Sequence, residues 1–297
     1  MSTATERAQD GALVGMSQSR PGTGREVTVV IEPSRGWASL RLWDLWKYRE
    51  LLYFLVWRDV KVRYSQTAIG VAWAVIQPLA TTIVLTVIFS HFGRFPSDGT
   101  PYPIFSFTAL LAWNFFANGL GRGAISVANS APVISKIYFP RLLVPIAAAV
   151  AMVVDLVIAF AVLLGMMVWF GIKLTPAMLT LPLFVLLDLL VLLGFVFWLS
   201  ALNVKYRDVS HALPLLLQLW MYATPVVYPL SVVPAKWQLL YNLNPMVGVV
   251  QGFRWALLGQ ASPQLAFLAL NVAVALVGLL SGLVYFTRTE RTFADVI

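Results

Sequence analysis

Long apolar runs, each interrupted by a proline, a glycine or a single ionisable residue, dominate this sequence. The clearest covers residues 144–170, where Asp155 is the one charged residue. At a helical rise of about 1.5 Å per residue, such a stretch crosses a hydrocarbon core about 30 Å thick. Because backbone amides in lipid must find partners within the chain, we expect most of the chain to be helical. The pattern predicts a protein that lies in a membrane.

The composition agrees with a membrane protein. Hydrophobic residues make up 59% of the chain and charged residues only 11%, whereas charged residues are about a quarter of a soluble domain. The net charge of +8 is spread beside the apolar runs, as orientation signals are, so we expect no nucleic-acid partner. With no cysteine and with His91 and His211 as the only histidines, we expect no metal site.

The apolar runs predict an all-α polytopic membrane protein with six transmembrane helices. Residues 40–64 predict an amphipathic helix that lies along the membrane interface. Residues 229–263 are too interrupted to cross and predict short re-entrant helices between the fifth and sixth spans. Residues 1–36, rich in Ser, Thr, Gly and Arg, indicate a mobile tail. The predicted spans are 69–92, 104–127, 144–170, 179–202, 213–228 and 265–286.

The basic residues beside the spans predict the orientation. With the N-terminus in the cytoplasm, more flanking cations lie inside than outside, which is typical of cytoplasmic loops. We therefore expect a multi-pass protein with both termini in the cytoplasm. The inside cations are Arg58, Lys61, Arg63, Lys136, Arg141, Lys205, Arg207, Arg288 and Arg291, and the outside cations are Arg94, Lys173, Lys236 and Arg254.

Two acidic residues, Asp155 and Asp188, lie inside the predicted third and fourth spans. A carboxylate is costly there unless it faces a cavity or a partner. Two interpretations stay open: the side chains pack between helices, or they line a pathway. Arg122, near the inner end of the second span, is the one intramembrane cation available to Asp188.

Aromatic rings and amides occur together at mid-span positions. Rings stack on the apolar faces of sugars while amides bond sugar hydroxyls, so a conduit lined by both suits a glycan. Rings that face lipid are the competing interpretation. The candidate conduit residues are Trp73, Gln77, Trp113, Asn114, Phe116, Asn118, Trp220 and Tyr222.

The sequence contains no motif for catalysis. It has no GxxxxGK[ST] phosphate loop, no HExxH and no GxSxG, so we expect no catalytic residue and no ATP hydrolysis by this chain. The predicted cytoplasmic loops offer Asp208 alone as a carboxylate, which disfavours a transferase that handles a sugar nucleotide and its metal.

Several short segments occur in a fixed order along the chain. They are VRY at 62–64 with QT at 66–67, SKIYFPR at 135–141, NVKYRD at 203–208, ATPVVYP at 223–229 and NLNPM at 242–246. Together they resemble the permease subunits of ABC-2 type transporters that export lipid-linked polysaccharides such as O-antigen or teichoic acid. The resemblance implies an ABC-2 type transmembrane domain over residues 37–297.

The resemblance also implies partners and a location. Two copies of the chain would surround a conduit in the bacterial inner membrane, in contact with lipid and with a lipid-linked polysaccharide. Separate ATP-binding subunits would hold ATP and Mg²⁺, so this chain itself would hold no cofactor. Residues 129–141 would carry a coupling helix, and residues 229–259 would form gating helices at the outer mouth. The candidate contacts with the ATP-binding subunit are Lys136, Tyr138, Phe139, Arg141, Arg63 and Tyr64.

Other functions stay open at this point. An ABC-2 permease that exports a small amphiphile or drug would share the architecture. An ion-coupled secondary transporter would use Asp155 and Asp188, but such transporters usually contain internal repeats, and the two halves of this sequence show none.

Overall fold

A computed structural model describes residues 46–65, 70–134, 136 and 139–293. These residues are mostly helical and contain no strand, which confirms the predicted all-α class. The predicted tail and the first part of the predicted interface helix lie outside the described residues. In chain order the helices are α1 (Arg49–Ser65), α2 (Ala72–Leu85), α3 (Tyr102–Asn129), α4 (Ala131–Ile134), α5 (Leu143–Val150), α6 (Val153–Trp169), α7 (Leu181–Lys205), α8 (Asp208–Tyr222), α9 (Ala235–Tyr241), α10 (Pro245–Leu258) and α11 (Leu265–Thr289).

Within the described ranges, five helical stretches are long and apolar enough to cross a membrane. The first joins α2 to a π-helical turn at Thr86–Phe92, and the third joins α5 to α6. The stretches match five of the six predicted spans. They are Ala72–Phe92, Tyr102–Asn129, Leu143–Trp169, Pro176–Lys205 and Leu265–Thr292.

The predicted fifth span corresponds to α8, which is shorter than the apolar run that contains it. α8 has 15 residues, about 22 Å at the helical rise, against a hydrocarbon core of about 30 Å. The helix ends at Tyr222 because Pro225 disfavours helical geometry at the residue before it. A count of six membrane crossings therefore stays a prediction.

α3 forms the centre of the fold. In its apolar window 78% of the residues are buried, compared with 17% for the stretch that begins with α2 and 22% for the one that contains α11. α3 packs against α2, α5, α6, α7, α8 and α10. The outer faces of α2 and α11 are thus apolar and uncovered within one copy of the chain, as expected of surfaces that meet lipid or a second copy.

Glycines allow α3 and α11 to approach α7 closely. A Cβ on Gly119 or Gly123 of α3 would lie 2.6 Å from the side chain of Leu192 or Val196, respectively. A Cβ on Gly282 of α11 would lie 2.5 Å from the backbone oxygen of Gly194. Gly119 and Gly123, which have GxxxG spacing, and Gly282 therefore serve helix packing within the chain.

Two short helices, α9 and α10, occupy the segment predicted to be too interrupted to cross. Asn244 caps α10: its Oδ1 accepts a hydrogen bond from the Met246 amide at 3.1 Å, and Pro245 takes the first helical position. Gly259 ends α10 in the left-handed conformation, with φ of 66°. α10 is largely buried against α3, α7 and α11.

Candidate functional site

Four of the predicted conduit residues line one small cavity near the middle of the membrane-spanning bundle. Trp73 and Gln77 lie four residues apart on α2, and Asn114 and Asn118 lie four apart on α3, so each pair shares a helix face. The cavity has a volume of about 30 Å³, room for a water molecule but not for a sugar. Asn114 is about 18 Å along α3 from Tyr102, near the middle of that helix, while Trp73 lies in the first turn of α2.

An ion pair closes one side of this cavity. Arg63, near the end of α1, places Nη1 2.5 Å from Oδ2 of Asp155 in α6. The Tyr64 hydroxyl donates a hydrogen bond to the other carboxylate oxygen of Asp155. Arg63 Nη1 also lies 3.0 Å from the sulfur of Met152. The end of the interface helix is thereby tied to the start of α6.

Tyr64 is held as a neutral hydrogen-bond donor. Partial burial and the hydrogen bond to Asp155 raise the pKa of Tyr64 to about 12, although the charge of Arg63 opposes the shift. The phenol therefore keeps its proton at physiological pH and stabilises the Asp155 carboxylate together with Arg63.

Sequence reasoning did not identify the partner of Asp155, although a signal was present. On a helical wheel Arg63 falls on the apolar side of α1, where a cation needs a specific partner or a route to the interface. An intramembrane carboxylate has the complementary requirement. Asp188, by contrast, is fully buried and has no hydrogen-bond partner among the described residues.

The other predicted conduit residues lie elsewhere. Trp113 and Phe116 of α3 pack with Phe195 of α7 and Trp220 of α8, with ring centroids 4.8 to 6.3 Å apart. Trp113 and Phe116 are buried, and Tyr222 is exposed. The reason is helical phase, since at about 100° per residue Trp113 and Phe116 point away from the face that carries Asn114 and Asn118. A role for these rings in a conduit stays a prediction.

The predicted contacts with an ATP-binding subunit are divided between solvent and the interior. Lys136 is exposed, and Tyr138 lies outside the described residues. Phe139 is buried against Leu55 of α1 and against α5. Arg141 Nη1 donates to the backbone oxygen of Glu290 at 2.5 Å. The C-terminal end of this segment is thus anchored to α1 and to Glu290, the residue that follows α11.

A larger cavity of about 310 Å³ lies beside the same segment, between α1, the last turns of α3 and the start of α5. Arg58, Asp59, Arg122 and Asn129 supply most of its polar lining. Arg58 pairs with its neighbour Asp59 at 2.8 Å. Arg122 is exposed and makes no ion pair within the part of the chain that the structure describes.

Known proteins resemble the chain over most of its length. Residues 50–258 match the family of ABC-2 type transporters. The O-antigen export system permease protein RfbA of Myxococcus xanthus is 30% identical over 256 residues, which cover 86% of this chain and 98% of that protein. A Klebsiella pneumoniae protein of the same name is 22% identical over 84% of this chain and 95% of its own length.

A relative with another substrate in its name also matches. The polysialic acid transport protein KpsM of Escherichia coli is 24% identical over 239 residues, which cover 78% of this chain and 91% of that protein. The matched region includes α1, the mid-span cavity with its ion pair, and α10. The chain belongs to the ABC-2 type transporter family and is a membrane transport subunit.

Proposed function

We propose that this chain is the permease subunit of an ATP-driven exporter that moves a lipid-linked polysaccharide across the bacterial inner membrane, with both termini in the cytoplasm. The observation that carries the proposal is the similarity to the O-antigen permease of Myxococcus xanthus, which extends over 98% of that protein. The similarity to a polysialic acid transporter supports a polysaccharide substrate independently of O-antigen.

The mid-span cavity supports a conduit between two copies of the chain. Trp73 is 52% exposed and Gln77 is exposed, although both also line the cavity. A volume of about 30 Å³ is too small for a sugar, so passage requires a wider space. The uncovered face of α2 lies beside the cavity, and a second copy of the chain placed there would enclose a ring- and amide-lined path.

Two arginines support the proposal that the exported polysaccharide is lipid-linked. Arg58 and Arg122 line the cavity beside α1, and Arg122 makes no direct ion pair with a carboxylate in the described residues, although Asp59 and Asp155 interact with it electrostatically. Guanidinium groups bind phosphate oxygens through charge-assisted, often bidentate hydrogen bonds. Since phosphate joins a polysaccharide to a membrane lipid carrier, this cavity suits the linkage at the inner interface.

A separate ATP-binding subunit would act through the 134–141 segment. The exposed Lys136 is the proposed contact, with Tyr138, and the buried Phe139 and the tethered Arg141 transmit its displacement to α1 and to the end of α11. Nucleotide binding shifts the permease between states only if the partner contacts these states differently. The anchored segment offers such a differential contact.

Deletion and complementation in the source bacterium test the proposal. We expect loss of surface polysaccharide and accumulation of lipid-linked polymer inside the cell, both reversed by the wild-type chain. Lys136→Ala should insert normally but restore export poorly, while the matched control Arg288→Ala should restore it. Normal surface polymer in the deletion strain, together with increased sensitivity to an amphiphilic drug, would instead support export of a small amphiphile.

A further inference from the structure

A polar cavity of about 250 Å³ lies at the end of the bundle opposite the 134–141 segment. The loop between the first two spans, the segment after α8, and helices α9, α10 and α11 surround it. In the proposed topology this is the outer side of the membrane. Among its lining residues are Asp98, Gln238, Gln251, Arg254, Gln264 and Phe267.

Arg254 supplies a fixed positive charge to the cavity wall. It is only 3% exposed, and its guanidinium carbon lies 3.5 Å from the centroid of the Phe105 ring. Nη2 donates to the backbone oxygen of Val226 at 2.8 Å, and Nη1 donates to that of Tyr228 at 3.4 Å. Within the described ranges Nε has no hydrogen-bond partner, and no carboxylate pairs with the guanidinium.

The amides beside Arg254 have unused hydrogen-bonding capacity. Gln251 lies three residues before Arg254 and so shares its face of α10. Neither the Gln251 nor the Gln264 side chain makes a hydrogen bond with any described residue. Gln238 uses its nitrogen in a long contact of 3.4 Å with the Val233 oxygen. Asp98 accepts a hydrogen bond from Ser231 at 3.0 Å, which joins two walls of the cavity.

This lining defines the chemistry of a ligand. Amides offer donors and acceptors together, Asp98 offers acceptors and Arg254 offers donors, so a ligand that both donates and accepts at many points satisfies the wall best. An apolar ligand would leave these groups unpaired, and a multiply charged anion would meet Asp98 and the amide oxygens. Phe267 adds an apolar ring at the rim. A hydroxyl-rich sugar has this combination of properties.

We propose that the cavity binds a sugar unit of the polysaccharide as the polymer leaves the conduit. The inference rests on the proposed function and adds to it a contact site at the outer mouth. Its volume lies below that of sites for drug-sized ligands, so the site holds a short piece of a longer chain. Weak binding there disfavours backward movement of the polymer while the permease resets.

Cysteine protection in cells tests the site, since the chain has no cysteine of its own. Gln251→Cys and Gln264→Cys are treated with a membrane-impermeant maleimide in a strain that makes the polymer and in an isogenic strain that does not. We expect labelling to be several-fold slower where polymer is made. Lys236→Cys, on the exposed surface of α9 and outside the cavity lining, should label equally in both strains.

The same cells separate this inference from the proposed function. Surface polymer with equal labelling in both strains would overturn the sugar site and leave the export function standing. Absence of polymer export by the wild-type chain would overturn the function itself. With the purified permease and its ATP-binding subunit, soluble oligosaccharide from the same polymer should protect both cysteines, and protection by inorganic phosphate alone would overturn the assignment to sugar.

Gln251→Leu provides a second measurement that does not depend on labelling. The substitution removes hydrogen bonds to the sugar without changing charge, so we expect export to slow about threefold to tenfold at unchanged protein level. Lys236→Leu, at an exposed position on α9 outside the cavity lining, is the control and should export normally. Equal export by the two variants would contradict the site.

Discussion

Arg63 and Arg254 are two arginines of this chain that satisfy their charge in different ways. Arg63 pairs with a carboxylate on another element, Asp155, at 2.5 Å, and both side chains keep some exposure, 19% and 15%. Arg254 is almost fully buried and binds two backbone oxygens and an aromatic ring instead of a carboxylate. At the first site the two charges are in direct contact, whereas the Arg254 guanidinium has no carboxylate in direct contact among the described residues.

The difference indicates that the two arginines have different structural roles. An ion pair between separate elements separates and reforms as those elements move, so Arg63 and Asp155 suit a contact that changes between transport states. The Arg254 contacts join α10 to the turn that follows α8, where the backbone has left the helix and its carbonyl groups need donors. The Arg254 contacts therefore suit a part of the structure that stays fixed during transport.

Removing Arg254 should have the largest effect on stability. Arg254→Met keeps the length of the side chain but leaves the oxygens of Val226 and Tyr228 without these donors, at a cost of about 1–3 kcal/mol for each buried acceptor. We expect a lower thermal midpoint in detergent, followed by tryptophan fluorescence, and less monodisperse protein.

Two further variants test whether the loss of stability comes from the guanidinium contacts of Arg254. Arg254→Lys should be intermediate, because an ammonium group reaches one oxygen but does not stack on Phe105 as a guanidinium does. Lys236→Met, at an exposed position on α9, should leave the midpoint unchanged. A midpoint for Arg254→Met equal to that of wild type would show that the turn after α8 does not depend on this residue.

Breaking the ion pair should have the next largest effect. Asp155→Ala leaves Arg63 without its carboxylate, and because both side chains are partly exposed we expect a loss of about 2 kcal/mol, less than for a fully buried pair. Arg63→Met combined with Asp155→Leu should recover most of this loss, since apolar replacement of both partners removes the uncompensated charge.

Export by the variant that combines Arg63→Met with Asp155→Leu tests whether the ion pair breaks and reforms during transport. If the pair forms and breaks during the cycle, the double variant should be stable but export poorly. Wild-type export by a stable double variant would assign the pair to structure alone. Asp155→Asn should be milder than Asp155→Ala, because an amide still accepts the Tyr64 hydrogen bond.

The sequence predicts the long helices of this structure better than it predicts contacts between distant side chains. Five of the predicted spans match because length and apolarity determine whether a helix crosses a membrane. The end of α8 depends on a proline inside an apolar run. The partner of Asp155 lies 92 positions away at Arg63. Helix periodicity indicates that each of the two residues needs a partner, but it does not pair them, because the pairing depends on how α1 packs on α6.

The candidate conduit illustrates the same limit at the level of single residues. Residue type selected eight conduit candidates, of which Trp73, Gln77, Asn114 and Asn118 line one cavity. It could not separate them from Trp113 and Phe116, which occupy the same stretch of α3 and differ only in the direction in which they point. Burial against α7 and α8 decides that direction, and this packing is a tertiary property.

Substitution of Arg141 or Lys136 should have a smaller effect on stability than breaking the ion pair. Arg141→Ala removes the hydrogen bond to the Glu290 oxygen and the contact of the guanidinium with the Phe293 ring, at a cost of about 1 kcal/mol. Lys136→Ala should not change the thermal midpoint, because its side chain is exposed. We expect both variants to lower ATP-driven export, and an equal loss of stability in both would contradict this division.

The smallest effect concerns Tyr64 and appears only at high pH. The pKa of Tyr64 is raised to about 12 from 10.0 by burial and by its hydrogen bond to Asp155. Because the folded state prefers the protonated phenol, the stability that it contributes is fully present below pH 10 and is lost as the pH rises from 10 towards 12. Tyr64→Phe lacks this group, so its disadvantage against wild type should shrink over that window.

Thermal midpoints of wild type, Tyr64→Phe and Tyr53→Phe, measured between about pH 8 and pH 11, isolate the contribution of Tyr64. Tyr53 lies on the same helix and is 73% exposed, so the difference between Tyr53→Phe and wild type should stay constant. A constant difference for Tyr64→Phe as well would mean that the phenol does not hold its proton for Asp155, and the ion pair with Arg63 would then be the sole link from the interface helix to that carboxylate.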